Sequence, residues 1–289
     1  LFSEKSAVLL QSQEDLSSHF KQQGITVCKI GEFNTSDVLK INELELNINQ
    51  MRMSWMATSK ALEKHQTTLN LAEKRAENIV NQPLNFEFPK GFEGTLPPPK
   101  KGKIKAAVLR EKGSNSEREM AYAMDLSGFE VRDVHMTDLI EGRETLEDIQ
   151  FLVAVGGFSN SDVLGSAKGW AGAIKFNTRA KTALSNFFSR PDTLSLGVCN
   201  GCQLFVELGF LSPTDELKPK MLHNDSGKFE CIFTAVKIEQ SNSIMMKGLE
   251  GSTLGIWAAH GEGKFSFPNQ ETHYQIPAKY LYSDYPSNP

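Results

Sequence analysis

The sequence predicts an α/β fold in which a mostly parallel sheet carries helices on both faces. Apolar, strand-like segments alternate with helical segments through residues 104–198, and this alternation is typical of such a sheet. Two later segments, 228–239 and 253–259, alternate with period two, which predicts an added antiparallel layer. The last parallel strand runs into a glycine-flanked cysteine, and loops at the carboxyl ends of such strands build the functional site in this fold class.

The elements follow in chain order. The predicted strands of the parallel sheet are 104–109, 130–135, 151–155 and 193–198. The predicted helices between them are 116–127, 139–149 and 170–189. Parallel strands present their carboxyl ends at one edge of the sheet. We therefore expect the loops at 110–114 and 156–165 to converge on the cysteine at 199.

The residues before this sheet have a different character. Residues 1–82 predict a strand at the apolar run 7–10, a short helix over 15–23 and further extended strands at 25–30 and 40–46. One long helix is then expected from 48 to about 81, with Met51, Trp55, Leu62 and Leu69 at heptad spacing. Residues 83–103 are rich in Pro, Gly and Phe and predict a linker. The predicted organisation is thus 1–82, a linker at 83–103, and a domain at 104–289.

The composition is that of an ordinary globular protein. The 289 residues suggest about two domains, and 39% of them are hydrophobic and 23% charged. A net charge of −4 offers no electrostatic attraction to nucleic acid or to an anionic membrane, and no apolar run approaches the ~18 residues of a membrane span. The four cysteines are scattered, which is typical of a reducing compartment and predicts a cytoplasmic location.

The strongest candidate for chemistry is Cys199, in the run LSLGVCNGCQL at 194–204. Gly197 and Gly201 flank it two residues away on each side, as a sharp strand-to-helix turn requires, because a nucleophile held there has a strained backbone and no room for bulky neighbours. The turn also places the thiol at a helix N-terminus, which favours the thiolate. We therefore expect Cys199 to be a nucleophile.

The sequence pattern allows two other roles for this cysteine. Cys199 and Cys202 form a Cys-x-x-Cys pattern, which also occurs in redox pairs and in zinc sites. A zinc site needs about four ligands, and the sequence has no second Cys-x-x-Cys or His pair to complete one. A redox pair has no need of the two flanking glycines, so the spacing favours the nucleophile.

The run GGFSNSDVLG at 156–165 is the candidate for stabilising an oxyanion. A Gly-Gly loop beside a cysteine elbow lets the main chain approach a reacting carbonyl, and the amide of Asn200 supplies a second donor. A phosphate-binding loop is disfavoured because no Gly-Lys-[Ser/Thr] follows. A plain turn that closes the strand remains the alternative.

A cysteine nucleophile needs a base that a third group orients. Among six histidines only His260 has a glutamate two residues on, in the run AAHGEG, and on a strand residues 260 and 262 share a face. The residues alone therefore suggest a Cys199–His260–Glu262 triad. The alternative is that His260 and Gly261 form a substrate-contacting loop and that Glu262 is structural, and periodicity does not decide between the two.

Taken together, these runs resemble a known family. GGFSNSDVLGSAKGWA, LGVCNGCQL, AAHGEGKF and YPSNP are similar to the glutamine amidotransferase domain of the phosphoribosylformylglycinamidine synthases, over 103–289. Residues 1–90 are similar to the tail of the preceding synthase domain, so the chain resembles a piece truncated at both ends. One departure is that Asn160 and Ser161 stand where the family commonly has Tyr-Gly.

The resemblance implies a flavodoxin-like class I amidotransferase fold and a set of roles. Cys199 is the implied nucleophile, and Gly157, Phe158 and Asn200 the implied oxyanion hole. Gln203, His260 and Gly261 are the implied substrate-binding residues. The family's base and its glutamate lie in a Pro-His-Pro-Glu motif near the C-terminus, which does not occur in residues 1–289. This replaces the triad built on His260 and Glu262.

The implied activity is release of ammonia from glutamine, with glutamine as substrate. The ammonia would serve a synthase domain of the same polypeptide, which converts formylglycinamide ribonucleotide to its amidine in purine biosynthesis. ATP and magnesium are expected in that domain, and no cofactor or metal is expected in this chain. No nucleic acid or membrane partner is expected. The alternatives are a stand-alone Cys-His-Glu hydrolase that uses His260 and Glu262, and a non-enzymatic interaction module.

Overall fold

The computed structural model describes residues 6–68, 70–95 and 104–289. Leu69 of the predicted heptad and residues 96–103 of the predicted linker lie outside this part of the chain. Two compact units are present, one ending at Trp55 and the other running from Met56 to Pro289. In the described residues no helix is long and apolar enough to cross a membrane.

The first unit holds a helix and a hairpin. The predicted helix over 15–23 is confirmed as α1 (Ser17–Gln22), and the extended segment at 40–46 is part of an antiparallel hairpin of β1 (Val38–Ile41) and β2 (Leu44–Asn47). Residues 7–10 and 25–30 form no strand, so those two expectations were wrong. An apolar run forms a ladder only where a second strand satisfies its backbone groups, which neither segment has.

Two helices replace the single long helix predicted from 48 to about 81. They are α2 (Ile48–Glu63) and α3 (Leu71–Asn78). Between them the Thr68 N–H donates to the carbonyl of Ser226 at 3.2 Å, and the Thr68 hydroxyl donates to the carbonyl of Asp225. These tertiary bonds replace helical ones at a β-branched residue, a type that favours helix weakly. Helical periodicity does not reveal such a break.

The second unit contains the predicted α/β sheet. Its strands are β3 (Lys105–Arg110), β4 (Ser114–Asn115), β5 (Glu130–His135), β6 (Phe151–Ala154), β7 (Gly156–Gly157), β8 (Leu194–Gly197), β9 (Lys220–Leu222), β10 (Glu230–Ile238), β11 (Thr253–His260), β12 (Lys264–Ser266) and β13 (Ala278–Tyr280). Its further helices are α4 (Glu117–Leu126), α5 (Met136–Glu141), α6 (Lys168–Lys175), α7 (Thr178–Ser189) and α8 (Asn200–Glu207).

The main sheet has the order β5-β3-β6-β8, with every pair parallel. In chain order this is 2-1-3-4, the flavodoxin-like arrangement, which confirms the predicted fold class. That order reverses between β3 and β6, and ligands bind at such a point beyond the carboxyl ends of the strands. The loops that follow β3, β6 and β8 therefore surround one place.

Helices cover both faces of this sheet. Alternate residues of each central strand point to opposite sides, so Leu109 and Leu152 join one core while Val108 and Val153 join the other. The first core also contains buried residues of α5, α6, α7 and α8, and the second contains Met124 of α4. Burial on both faces explains why these strands are continuously apolar in the sequence.

Two predicted helices are shorter than expected. The helix predicted over 139–149 is α5, which ends at Gly142 because this residue adopts a left-handed conformation with φ 77°. The helix predicted over 170–189 is two helices, α6 and α7. The Asn177 side chain accepts a hydrogen bond from the Ala180 N–H at 2.9 Å and so caps the start of α7.

The predicted antiparallel layer is confirmed. The strands β11, β10 and β13 form one sheet, and the pairing of β10 with β11 aligns Glu230 with His260. Two further short antiparallel ladders are present, one between β12 and β9 and one between β4 and β7.

Candidate active site

Cys199 lies at the sharp turn between β8 and α8, with φ 52° and ψ −112°. A left-handed φ is strained for a residue with a Cβ. The neighbouring glycines are required by space: a Cβ on Gly197 would lie 2.7 Å from the Cα of Cys202, and a Cβ on Gly201 would lie 2.0 Å from the carbonyl oxygen of Ala154. The backbone thus has the elbow geometry that the sequence spacing predicts.

The Cys199 thiol is exposed and close to two other segments. Its Sγ donates to the carbonyl of Ala259 at 3.5 Å, at the end of β11. A Cβ added to Gly156 would lie 3.2 Å from the Cys199 Cβ and 3.8 Å from its Sγ. Within the described residues no histidine hydrogen bonds to this thiol. The elbow, the loop after β6 and the end of β11 therefore meet here, as the topology requires.

Cys202 differs from Cys199 in its surroundings. It lies one helical turn along α8, and burial, followed by the nearby Cys199, raises the pKa of its thiol to about 11. A thiol with such a pKa is a poor source of the thiolate that exchange reactions need. The two cysteines are therefore unequal, which disfavours the redox pair that the Cys-x-x-Cys spacing allowed.

Some backbone N–H groups near the thiol already donate a hydrogen bond within the protein, and others do not. The Phe158 N–H donates to the carbonyl of Gly113 at 2.8 Å, next to the pair Ser114–Gly157 of the β4–β7 ladder. Hydrogen-bonded and non-bonded pairs alternate in an antiparallel ladder, so the N–H of Gly157 lies outside it. The N–H of Asn200 has no acceptor among the described residues. Of the three predicted oxyanion donors, Gly157 and Asn200 are thus free to donate and Phe158 is engaged.

The side chain of Asn200 is buried and joins the elbow to the loop after β6. Its Oδ1 accepts from the Ser159 hydroxyl at 2.6 Å and from the Ser159 N–H at 3.3 Å. Its Nδ2 donates to Asp162 at 3.2 and 3.4 Å and to the Oε1 of Gln203 at 3.2 Å. These bonds hold the two segments that carry the free N–H groups against each other.

Gln203, a predicted substrate-binding residue, is 5% exposed and has both ends of its amide engaged. Its Nε2 donates to the backbone carbonyl of Glu262 at 2.8 Å, and its Oε1 accepts from Asn200. The structure therefore places it as the link between α8 and the segment after β11. A direct contact with substrate stays a prediction.

His260 and Glu262 do not form a pair. The Nδ1 of His260 lies 2.8 Å from the Oδ1 of Asn224, and burial lowers the pKa of the imidazole despite the opposing effect of Glu230. The carboxylate of Glu262 instead accepts from the Ser166 N–H at 3.3 and 3.4 Å. The triad suggested by the residues alone therefore has neither of its hydrogen bonds.

A cleft of about 250 Å³ lies beside the elbow, between the loops that follow β6, β9 and β11. It is lined by Phe158, Asp162, Ser166, His223, Gly227, Lys228, Phe229, Gly261 and Glu262. The predicted substrate residue Gly261 thus faces the cleft, and its carbonyl accepts from the Asn224 N–H at 2.9 Å. His260 is not among the lining residues, and its Nδ1 lies within hydrogen-bond distance of the Asn224 side chain.

Three supporting residues were not singled out from the sequence. Ser159 and Asp162 lie inside the Gly-Gly loop, where the sequence pattern indicates a role for the glycine backbone but none for these side chains. Asn224 lies in a run, HNDSG, whose composition indicates a turn and nothing more. Its contacts with His260 and Gly261 arise from tertiary structure, so no local signal could reveal them.

Comparisons with known proteins identify the family of this chain. Residues 103–289 match the sequence profile of the CobB/CobQ-like glutamine amidotransferase domain. A probable phosphoribosylformylglycinamidine synthase of Arabidopsis thaliana, chloroplastic/mitochondrial, is 41% identical over 290 residues, which cover 93% of this chain and 20% of that protein. The phosphoribosylformylglycinamidine synthase of Homo sapiens is 36% identical over 310 residues, which cover 97% of this chain and 23% of that protein.

Both relatives are much longer proteins, of which this chain spans about a fifth. A solved structure, that of PurLQS from Thermotoga maritima, is also similar, with a TM-score of 0.50 and 28% sequence identity. The similarity covers 63% of this chain and 76% of that one.

Proposed function

Because this chain belongs to the CobB/CobQ-like glutamine amidotransferase family, we propose that it releases ammonia from the side-chain amide of glutamine with Cys199 as nucleophile. The observation that carries the proposal is the strained backbone of Cys199, with φ 52°, between two glycines that have no room for a Cβ. Such strain persists only where the surrounding structure imposes it, and it is concentrated at functional sites.

The proposed reaction is an acyl transfer in two steps. The thiolate of Cys199 attacks the side-chain carbonyl carbon, and the N–H groups of Gly157 and Asn200 stabilise the resulting oxyanion. The carbon–nitrogen bond then breaks, ammonia leaves with a proton from the base, and a glutamyl thioester remains. Water hydrolyses the thioester to glutamate and restores the thiol. Phe158 joins this oxyanion hole if its bond to Gly113 opens.

We propose that the base is not His260. Its Nδ1 is engaged by Asn224, and Glu262, which would have to orient it, is bound to Ser166. The resemblance places the base in a Pro-His-Pro-Glu motif, which does not occur within residues 1–289. The same contacts argue against the alternative of a stand-alone Cys-His-Glu hydrolase.

We further propose that the chain serves as the amidotransferase part of a phosphoribosylformylglycinamidine synthase. The names of the long relatives support this, as does their similarity to 93–97% of this chain. In that role the ammonia passes to a synthase domain, which uses ATP and magnesium to make the formylglycinamidine ribonucleotide. The domain boundaries at 82 and 103, the cytoplasmic location and the absence of a cofactor from this chain stay predictions.

The experiment that tests the function measures ammonia released from glutamine by three proteins. These are the chain itself, its His260→Ala variant, and the chain extended after Pro289 by a segment with the Pro-His-Pro-Glu motif. We expect the extension to raise the rate about 10²–10⁴-fold, the usual contribution of general acid–base catalysis. A chain that is fully active and loses its activity in His260→Ala contradicts the proposal and favours the stand-alone hydrolase.

A further inference from the structure

Glu262 faces the cleft with a carboxylate that has few partners. Its oxygens share a single backbone donor, the Ser166 N–H, at 3.3 and 3.4 Å, among the residues that the structure describes. The nearest basic side chain is the largely exposed His223, whose Nδ1 lies 4.0 Å away. A carboxylate can accept about four hydrogen bonds, so most of its capacity is unused although its side chain is only 18% exposed.

The other charged groups that line the cleft are already bound. Asp162 accepts from the Nδ2 of Asn200 and from the Ala167 N–H at 3.2 Å. The ammonium group of Lys228 donates to Glu63 at 2.8 Å. Glu262 is therefore the charged group of the cleft best able to receive a cation from a ligand.

Short backbone links keep Glu262 near the nucleophile. The Cys199 thiol donates to the carbonyl of Ala259, and Gln203 donates to the carbonyl of Glu262 itself. Three residues separate these two points, which a fully extended chain spans in at most about 11 Å. This upper limit keeps Glu262 within reach of a small substrate held at Cys199. Glutamine is a small substrate of this kind, since a short aliphatic chain joins its reactive amide to its α-carbon.

We propose that Glu262 binds the α-ammonium group of glutamine and so selects α-amino acids over simple carboxamides. This rests on the proposed function. An ammonium group carries three donors, and its bond to a carboxylate is charge-assisted and stronger than a neutral hydrogen bond. Binding there satisfies the unused acceptor capacity of Glu262 and directs the side-chain amide toward Cys199.

The test uses protection of Cys199, which needs no catalytic base. Alkylation of Cys199 by iodoacetamide is followed by mass spectrometry while glutamine, or 4-carbamoylbutanoate, is added at increasing concentration. The second compound is glutamine without its α-amino group. The measurement is made on the wild type, on Glu262→Gln, and on the control Glu271→Gln, whose carboxylate is exposed and binds Lys279.

In the wild type and the control we expect glutamine to protect Cys199 at about 10- to 100-fold lower concentration than 4-carbamoylbutanoate. This ratio is the gain in affinity that a hydrogen bond to a charged group usually provides. In Glu262→Gln this ratio should fall below about 3-fold, through weaker protection by glutamine alone. Unchanged thermal unfolding of the variant confirms that it folds.

Each contrary outcome is distinct. A wild type that glutamine protects no better than 4-carbamoylbutanoate overturns the role of Glu262 without any variant, while the proposed function stands. A Glu262→Gln variant that keeps the full ratio does the same. A wild type whose Cys199 neither compound protects contradicts the proposed function, and the role of Glu262 with it.

Discussion

Replacing Arg75 by methionine should destabilise the second unit strongly, because this arginine neutralises two buried carboxylates. Its Nε donates to Glu63 at 2.8 Å and its terminal nitrogen donates to Glu230 at 2.6 Å, and the Tyr285 hydroxyl contacts all three side chains. The side chains of Glu63 and Glu230 are only 11% and 4% exposed. Methionine keeps most of the volume of arginine but leaves these carboxylates with the neutral Tyr285 hydroxyl and, among the described residues, with Lys228 as their one cationic partner.

Removing one partner of a buried ion pair costs about 3–5 kcal/mol, because an uncompensated charge stays buried. For a unit of this size 1 kcal/mol shifts the unfolding midpoint by about 2–4 °C, so the expected loss is about 6–20 °C. Thermal unfolding followed by circular dichroism measures it. The matched control is Lys105→Met, which breaks an ion pair with Asp148 whose side chains are 42% and 45% exposed. It should cost less than about 1 kcal/mol.

The pH dependence gives a second readout of the same variant. Burial of Glu63 opposes its ionisation, but hydrogen bonds from Lys228 and Arg75 outweigh this and lower the pKa of its carboxyl group. A lowered pKa contributes stability above the ordinary carboxyl range, and that stability is lost as the pH falls through the folded-state pKa. The difference between wild type and Arg75→Met should therefore shrink below about pH 4.

Equal unfolding midpoints for wild type and Arg75→Met would refute this reasoning. So would a variant carrying Arg75→Met, Glu63→Gln and Glu230→Gln that is no more stable than Arg75→Met alone, because removing the charges together should recover part of the loss.

Three further predictions concern the elbow. Gly201→Ala should unfold about 1–3 kcal/mol more easily or lose Cys199 reactivity, because its Cβ would meet the Ala154 carbonyl at 2.0 Å; unchanged stability and labelling would contradict the packing. Cys202→Ser should keep labelling of Cys199 by a glutamine-mimicking electrophile at a rate within about 3-fold of wild type, as measured by mass spectrometry, because Cys202 has no part in the attack. Asn200→Asp should slow the maximal labelling rate about 10-fold or more with little change in the half-saturating concentration, because it sets a second carboxylate against Asp162; an effect on half-saturation alone would indicate a role in binding instead.

The parallel sheet could be predicted because its signal is local. The buried strands β3 and β6 contain continuous apolar runs, and the elbow at Cys199 is defined by two glycines at fixed spacing. The break between α2 and α3 could not be predicted, since it depends on Thr68 bonding to a loop more than 150 residues away in the chain. A helix boundary that such a contact sets does not change the hydrophobic periodicity of the sequence.

In the candidate site, too, the features set by local sequence could be predicted and those set by tertiary contacts could not. The nucleophile and its helix follow from the spacing, and the Gly-Gly loop was found for the same reason. The separation of His260 from Glu262 could not be predicted, because two residues on one face of a strand still bond to whichever partners the surrounding loops supply. Here Asn224 takes the imidazole and Ser166 takes the carboxylate. These contacts disfavour the triad that the spacing alone suggests.

Intact-protein mass spectrometry after reaction with a glutamine-mimicking electrophile shows directly whether Cys199 is the nucleophile toward glutamine. The wild type and Cys199→Ser are compared, with free glutamine as competitor. We expect one adduct on the wild type, located at Cys199 and prevented by glutamine, and none on Cys199→Ser, which should fold normally. An adduct that persists in Cys199→Ser, or one that glutamine does not prevent, would contradict this expectation.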